Sequence, residues 1–173
     1  MKKWQYNIEL PAPRTGKKEF SFGEKGIVSC PGCQSVYYQK SWHHSKNLKF
    51  KIKNLKLKLC PACQMIRNKE FEGQLTISNF PPALETDLTK LIRNFCQRAY
   101  ERDPMDRLIS INQLKNQHKS ASLIVTTTEN QLAVKLAKKI KEVFNKNKVQ
   151  IKISYSPEPS DAVYIKINFA LPL

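Results

Sequence analysis

A chain of 173 residues and 20.0 kDa holds one ordinary domain, or a small metal-stapled module beside a compact domain of about 100 residues. Thirty Lys and Arg against fourteen Asp and Glu give a net charge of +16, which favours polyanionic partners such as RNA, DNA or an acidic membrane surface. No apolar run approaches the roughly 20 residues that span a bilayer, and the start MKKWQYNIELPAPRTG lacks an apolar signal core and a cleavage site, so the expectation is a soluble, cytoplasmic protein without a membrane partner.

Only six of the thirty basic residues are Arg, and Asn, Ile and Lys are abundant, so coding bias accounts for part of the charge. Position is therefore more informative than total. Up to Gly73 there are 15 basic and 5 acidic residues, net +10, and the remaining hundred positions carry net +6.

Residues 1–27 carry no periodic pattern and read as an N-terminal arm that orders on binding. The span 28–73 then reads as a zinc-ribbon module. Its pairs Cys30/Cys33 and Cys60/Cys63 stand in the repeated wording CPGCQ and CPACQ. Each C-x-x-C turn lets two thiolates bind one ion while backbone amides behind the turn support the sulfurs, and two turns complete a tetrahedral four-cysteine zinc site. Two similar copies without a thioredoxin-like context argue against redox chemistry. Four thiolates fill the coordination sphere, so one structural Zn2+ with no catalytic role is the expectation. His43 and His44 lie between the pairs as substitute ligands, a reading that four available cysteines make unnecessary.

From Leu48 to Leu59 apolar residues alternate with Lys49, Lys51 and Lys53, then with Lys56 and Lys58 after a one-residue slip at Asn54. Strict period two predicts a half-buried strand with a lysine face, and the slip predicts a bulge or two short strands. Seven lysines lie from Lys40 to Lys58 without one acidic residue among them. Such a face either is simply solvated, which also guards an edge strand against aggregation, or meets a polyanion. Beside it stand Tyr37, Tyr38, Trp42, His43 and His44, able to stack on bases or to form the small core of the module, and Arg67 follows the second knuckle. The expected RNA-binding set is Lys40, Trp42, His43, His44, Lys49, Lys51, Lys53, Lys56, Lys58 and Arg67.

The span 74–173 changes character. QLTISNF predicts a strand. The stretch PPALETDLTKLIRNFCQRAYERDP predicts a helix with two prolines and acidic residues at its start and a stop before Pro104. Leu84, Leu88, Leu91, Ile92 and Phe95 form its apolar stripe, and Cys96 reads as a buried thiol. RLISINQL and ASLIVTTT predict strands. TENQLAVKLAKKIKEVFNKNK predicts a second helix with Thr128 as N-cap and Leu132, Leu136, Ile140, Val143 and Phe144 buried. VQIKISYS and AVYIKINF are two last strands joined by PEPSD. The order is βαββαβ plus one strand, which predicts an α+β domain of ferredoxin-like type behind the zinc ribbon. Lys135, Lys138, Lys139, Lys141, Lys146 and Lys148 form a second basic group that also suits the helix dipole.

The segments CPGCQSVYYQKSW, CPACQMIRNKEFEGQLTISNF, LTKLIRN, MDRLISI and TTENQLAVKLAKKI, in this order, resemble a family of short uncharacterised bacterial zinc-ribbon proteins. That family is in turn similar to the N-terminal zinc-binding region of the archaeal and eukaryotic large-ribosomal-subunit export adaptor. The resemblance covers about residues 28–155. It implies zinc on Cys30, Cys33, Cys60 and Cys63 and a ribosomal RNA or large-subunit partner. The chain departs from the family in its longer, lysine-rich segment between the knuckles and in Cys96, Gln97 and Arg98, where the group is acidic.

The functional expectation is a non-catalytic RNA-binding protein that associates with the ribosome in assembly, stress or quality control; the alternative is a DNA-binding or transcription-associated zinc ribbon. An enzyme is disfavoured. The chain has no P-loop, G-x-S-x-G or H-E-x-x-H motif, and His43, His44 and His118 have no carboxylate partner visible in sequence, so no small-molecule substrate is expected.

Overall fold

The computed structural model describes residues 28–47, 56–115, 121–157 and 160–170. The arm 1–27, Lys49, Lys51, Lys53, the slip at Asn54 and His118 lie outside the described residues. The chain is mixed α+β with two sheets.

The first sheet belongs to the cysteine module. Its strands are β1 (Val28–Ser29), β2 (Val36–Tyr38), β3 (Ser41–His43) and β4 (Lys56–Leu57), in the order β3-β2-β1-β4. Strands β2 and β3 pair antiparallel across Gln39 and Lys40, whose φ angles of 49° and 68° are both left-handed. A two-residue loop of that form matches the right-handed strand twist and fixes the register Tyr37↔Trp42. A helix that the sequence reading did not anticipate follows: α1 (Pro61–Asn68), with Cys60 as N-cap and Pro61 pre-set for the first turn.

The second sheet holds β5 (Gly73–Phe80), β6 (Leu108–Lys115), β7 (Ala121–Thr127), β8 (Gln150–Tyr155) and β9 (Val163–Asn168). The helices α2 (Glu85–Arg102) and α3 (Asn130–Val143) pack on one face. Alternate residues of the central strands, Leu75 and Ile77, Leu123 and Val125, Val163, Ile165 and Ile167, meet Leu88, Ile92, Leu132, Leu136 and Ile140 in one core. The stripe on α2 continues through Cys96 and Ala99, both buried. On α3 two alanines, Ala133 and Ala137, complete the buried face, whereas Val143 is 48 % exposed, contrary to expectation. Thr128 is not the N-cap either: Glu129 holds that position, and the Thr128 hydroxyl is bound to Met105 O.

The strand order β6-β7-β5-β9-β8 departs from the ferredoxin-like expectation. In that fold the strand after the second helix lies antiparallel beside the first strand. Here β9 takes the place beside β5 and runs parallel to it, and β8 is moved to the edge, antiparallel to β9. The side chains account for this. Strand β9 alternates fully buried with exposed residues and needs a central slot, while β8 buries almost nothing and carries Lys152, as suits an edge.

Candidate metal centre and adjoining basic cleft

Two elements deliver the cysteines. In the first knuckle Cys30 N donates to Ser35 O at 2.8 Å and Gln34 N to Cys30 O at 2.8 Å, while Gln34 takes a left-handed φ of 63°. The second knuckle is the start of α1, where Cys63 N donates to Cys60 Sγ at 3.4 Å. Cys60 N donates across to Cys30 Sγ at 3.3 Å. The sulfurs of Cys30, Cys33, Cys60 and Cys63 all lie within 4.8 Å of one another, close enough to hold one metal ion. Gly32 keeps the first turn open, because a Cβ there would lie 3.0 Å from Cys63 Sγ.

The thiols are electrostatically unequal. Burial opposes ionisation of Cys33, but its hydrogen bonds with Ser35 and the charge of Arg107 outweigh this and hold it down at about 6. Burial pushes Cys60 far up, reinforced by the charges of Cys33 and Cys63, and burial also raises Cys63. Ionising all four sulfurs this close together would need a cation among them, which is consistent with a metal site.

The aromatic and histidine residues expected to meet RNA occupy different places. Trp42 is 6 % exposed and packs against Tyr37 with ring centroids 5.5 Å apart. Both belong to the small core around Cys30 and Cys60, so Trp42 offers no face to a base. His44 is 9 % exposed and bound at Nε2 to the Tyr100 carbonyl oxygen, with its ring edge-on to Tyr100. It docks the module on α2 and is likewise withdrawn from solvent. His43 is half-buried, its Nε2 2.8 Å from Ser41 Oγ. In so small a module the few large rings are needed as core, which period-two reading does not reveal.

Lys40, Lys56, Lys58 and Arg67 are exposed. The alternation around Lys56 and Lys58 does not bury its apolar partner, since Leu57 is 73 % exposed at this sheet edge. Lys58 and Arg67 line one cleft of about 410 Å³ with Leu59, Gln64 and Asn68. Gln64, Arg67 and Asn68 share a face of α1 by their spacing of three and four residues. From Val28 to Lys69 the chain has nine Lys and Arg and no Asp or Glu.

A residue of the second sheet domain completes the site, and sequence reading had no means of finding it. Arg107, just before β6, donates from Nη1 to Cys63 Sγ at 3.3 Å and from Nε to Pro104 O at 2.8 Å. Its guanidinium also lies 5.0 Å from the centroid of the Tyr100 ring.

Comparison with family models, with curated proteins and with solved structures finds no match to this chain. Among the described residues, no helix is long and apolar enough to cross a membrane.

Proposed function

We propose that this is a cytoplasmic, non-catalytic RNA-binding protein whose basic N-terminal module is organised by one zinc ion and which docks on the ribosome, with the large subunit as the expected partner. Zinc fits the donor set. Sulfurs about 2.3 Å from a tetrahedral ion are about 3.8 Å apart, and Cys33 Sγ and Cys60 Sγ are already 3.6 Å apart with all four within 4.8 Å. The ion would fold and rigidify the two knuckles, and with four thiolates bound it has no position for a reacting water.

The observation that carries the RNA reading is the cleft lined by Lys58 and Arg67, within a stretch from Val28 to Lys69 that has no Asp or Glu, with Glu70 beyond it accepting from Asn68 Nδ2 at 3.4 Å. Two cations and two amide side chains lining one cleft are donors only or donors as needed, which is the chemistry that holds phosphate oxygens. Lys40 and Lys56 extend the charge along the same module. Sequence-independent phosphate contact of this kind is strongly salt-dependent.

The test is fluorescence anisotropy with structured ribosomal RNA fragments and with duplex DNA across a series of salt concentrations. Lys58→Ala and Arg67→Ala should each weaken binding and each lower the slope of log affinity against log salt by about 1. Sedimentation of the tagged protein from native lysate should place it with ribosomes until RNase is added. Wild-type affinity in the double variant would sink the cleft assignment, and tighter binding to duplex DNA would replace RNA as the ligand.

A further inference from the structure

The feature that the RNA reading leaves unused is Arg107. Its backbone and Nε are held by the sheet domain. Its backbone N donates to Thr128 Oγ1 at 2.9 Å, its carbonyl accepts from Thr128 N at 3.0 Å, and Nε is held by Pro104 O. Its Nη2 is buried with no hydrogen-bond partner, and among the described residues no carboxylate forms an ion pair with it. Arg107 is half-buried overall, and an enclosed guanidinium nitrogen without a partner is costly unless a negative group faces the charge. The sulfurs supply that charge: Nη1 bonds Cys63 Sγ.

We propose that the metal centre is shared between the two modules, with Arg107 as a positioning residue that holds the Cys63 sulfur and offsets the excess charge of four thiolates, so that metal binding and docking of the modules strengthen each other. The charge balance is direct. A divalent ion with four thiolates carries two net negative charges in a largely buried site, and Arg107 returns one positive charge to it. Without metal nothing ties the two knuckles, and so the Cys63 sulfur, into one fixed arrangement. The Nη1 contact to Cys63 Sγ that joins the modules is then weakened. Coupling of this kind is reciprocal: whatever docking contributes to metal affinity, metal contributes to docking. His44 on Tyr100 and Met105 against the cysteine core lie in the same seam and should respond together.

The inference rests on the metal reading but not on RNA. The experiment titrates the full chain with Zn2+ in competition with a chromophoric chelator, for wild type, Arg107→Met, Arg107→Gln and Arg107→Lys, and follows amide hydrogen exchange with and without metal. Loss of a group supporting a metal ligand lowers affinity by about 10–100-fold, which is the expectation for both neutral variants, with a smaller loss for Arg107→Lys. In wild type, metal removal should speed exchange at Met105 and Thr128, and in the neutral variants that exchange should be fast whether or not metal is bound. Neutral variants that bind zinc within about twofold of wild type overturn the proposal. So does a loss confined to variants in which the amides of Leu75 and Ile165 also lose protection, because that is unfolding of the sheet. A wild-type chain that binds no zinc would instead refute the metal reading itself.

Discussion

Replacing Gly73 by Ala tests how tightly the start of β5 is wedged under α3. A Cβ there would lie 2.3 Å from Thr127 Oγ1, 2.5 Å from Ala133 Cβ and 3.2 Å from Glu129 O. None of these atoms is the free end of a long side chain, so relief requires moving the end of β7 or the first turn of α3. Rotating Thr127 away would break its hydrogen bond to Glu129 O at 2.9 Å, a loss of about 1 kcal/mol, in addition to the roughly 1–3 kcal/mol of an overpacked core. The expected destabilisation is therefore about 3 kcal/mol, read as a shift in urea midpoint of the metal-loaded protein at unchanged m-value. Ala133→Gly alone should cost about 1 kcal/mol through helix propensity, yet in the Gly73→Ala background it should cost nothing or restore stability, because it removes the 2.5 Å clash. Destabilisation by Gly73→Ala below about 0.5 kcal/mol, or strict additivity in the pair, would show that the seam yields freely and that the packing argument is wrong.

Gly32→Ala should weaken zinc binding several-fold, since its Cβ would press on Cys63 Sγ at 3.0 Å and Leu59 Cδ2 at 3.4 Å; competition with a chelator measures this. Chelation of the wild type should abolish the near-ultraviolet signal of Trp42, packed among the cysteines, while the far-ultraviolet signal of α2 and α3 persists, because their core is separate. Cys96 should resist alkylation after metal removal and react only on unfolding, since it is 2 % exposed and burial pushes its thiol up from 9.0 to about 12. That shift has a sign in pH. A raised thiol favours the folded state while neutral, so the contribution is complete below pH 9.0 and fades as pH climbs toward 12. Between pH 9 and 10.5 the wild type should lose more stability than Cys96→Ala, by at most about 2 kcal/mol, as denaturant titrations at each pH would show.

What could be read from sequence was what depends on neighbours along the chain. A C-x-x-C turn is made by four consecutive residues, so the two cysteine pairs that come together were legible, as were the stripes Leu88/Ile92 and Leu132/Leu136/Ile140, which follow helix geometry alone. The sequence left Trp42 open between base stacking and core and did not show His44 to be buried, because burial in a small module depends on which rings are available to fill it and on the partner domain at Tyr100. The parallel pairing of β5 with β9 leaves no local mark, since VYIKIN alternates in the same way beside either neighbour. Arg107 reaches Cys63 from forty-four positions away. No spacing rule connects them.

The interior position of β9 sets an order on how the chain can assemble as it is synthesised. Among the described residues strand β8 has no sheet neighbour except β9, and β9 is held beside β5, about ninety positions earlier. A nascent chain released only as far as residue 157 thus presents α3 and β8 with no complete surface to settle on. Leu132, Leu136 and Ile140, fully enclosed in the finished protein, are covered by β5, β7 and α2 during that interval but lack the contacts of Val163, Ile165 and Ile167. Closing the sheet is a step that waits for residues 163–168 to leave the exit tunnel, and a truncation that removes them detaches two strands rather than one.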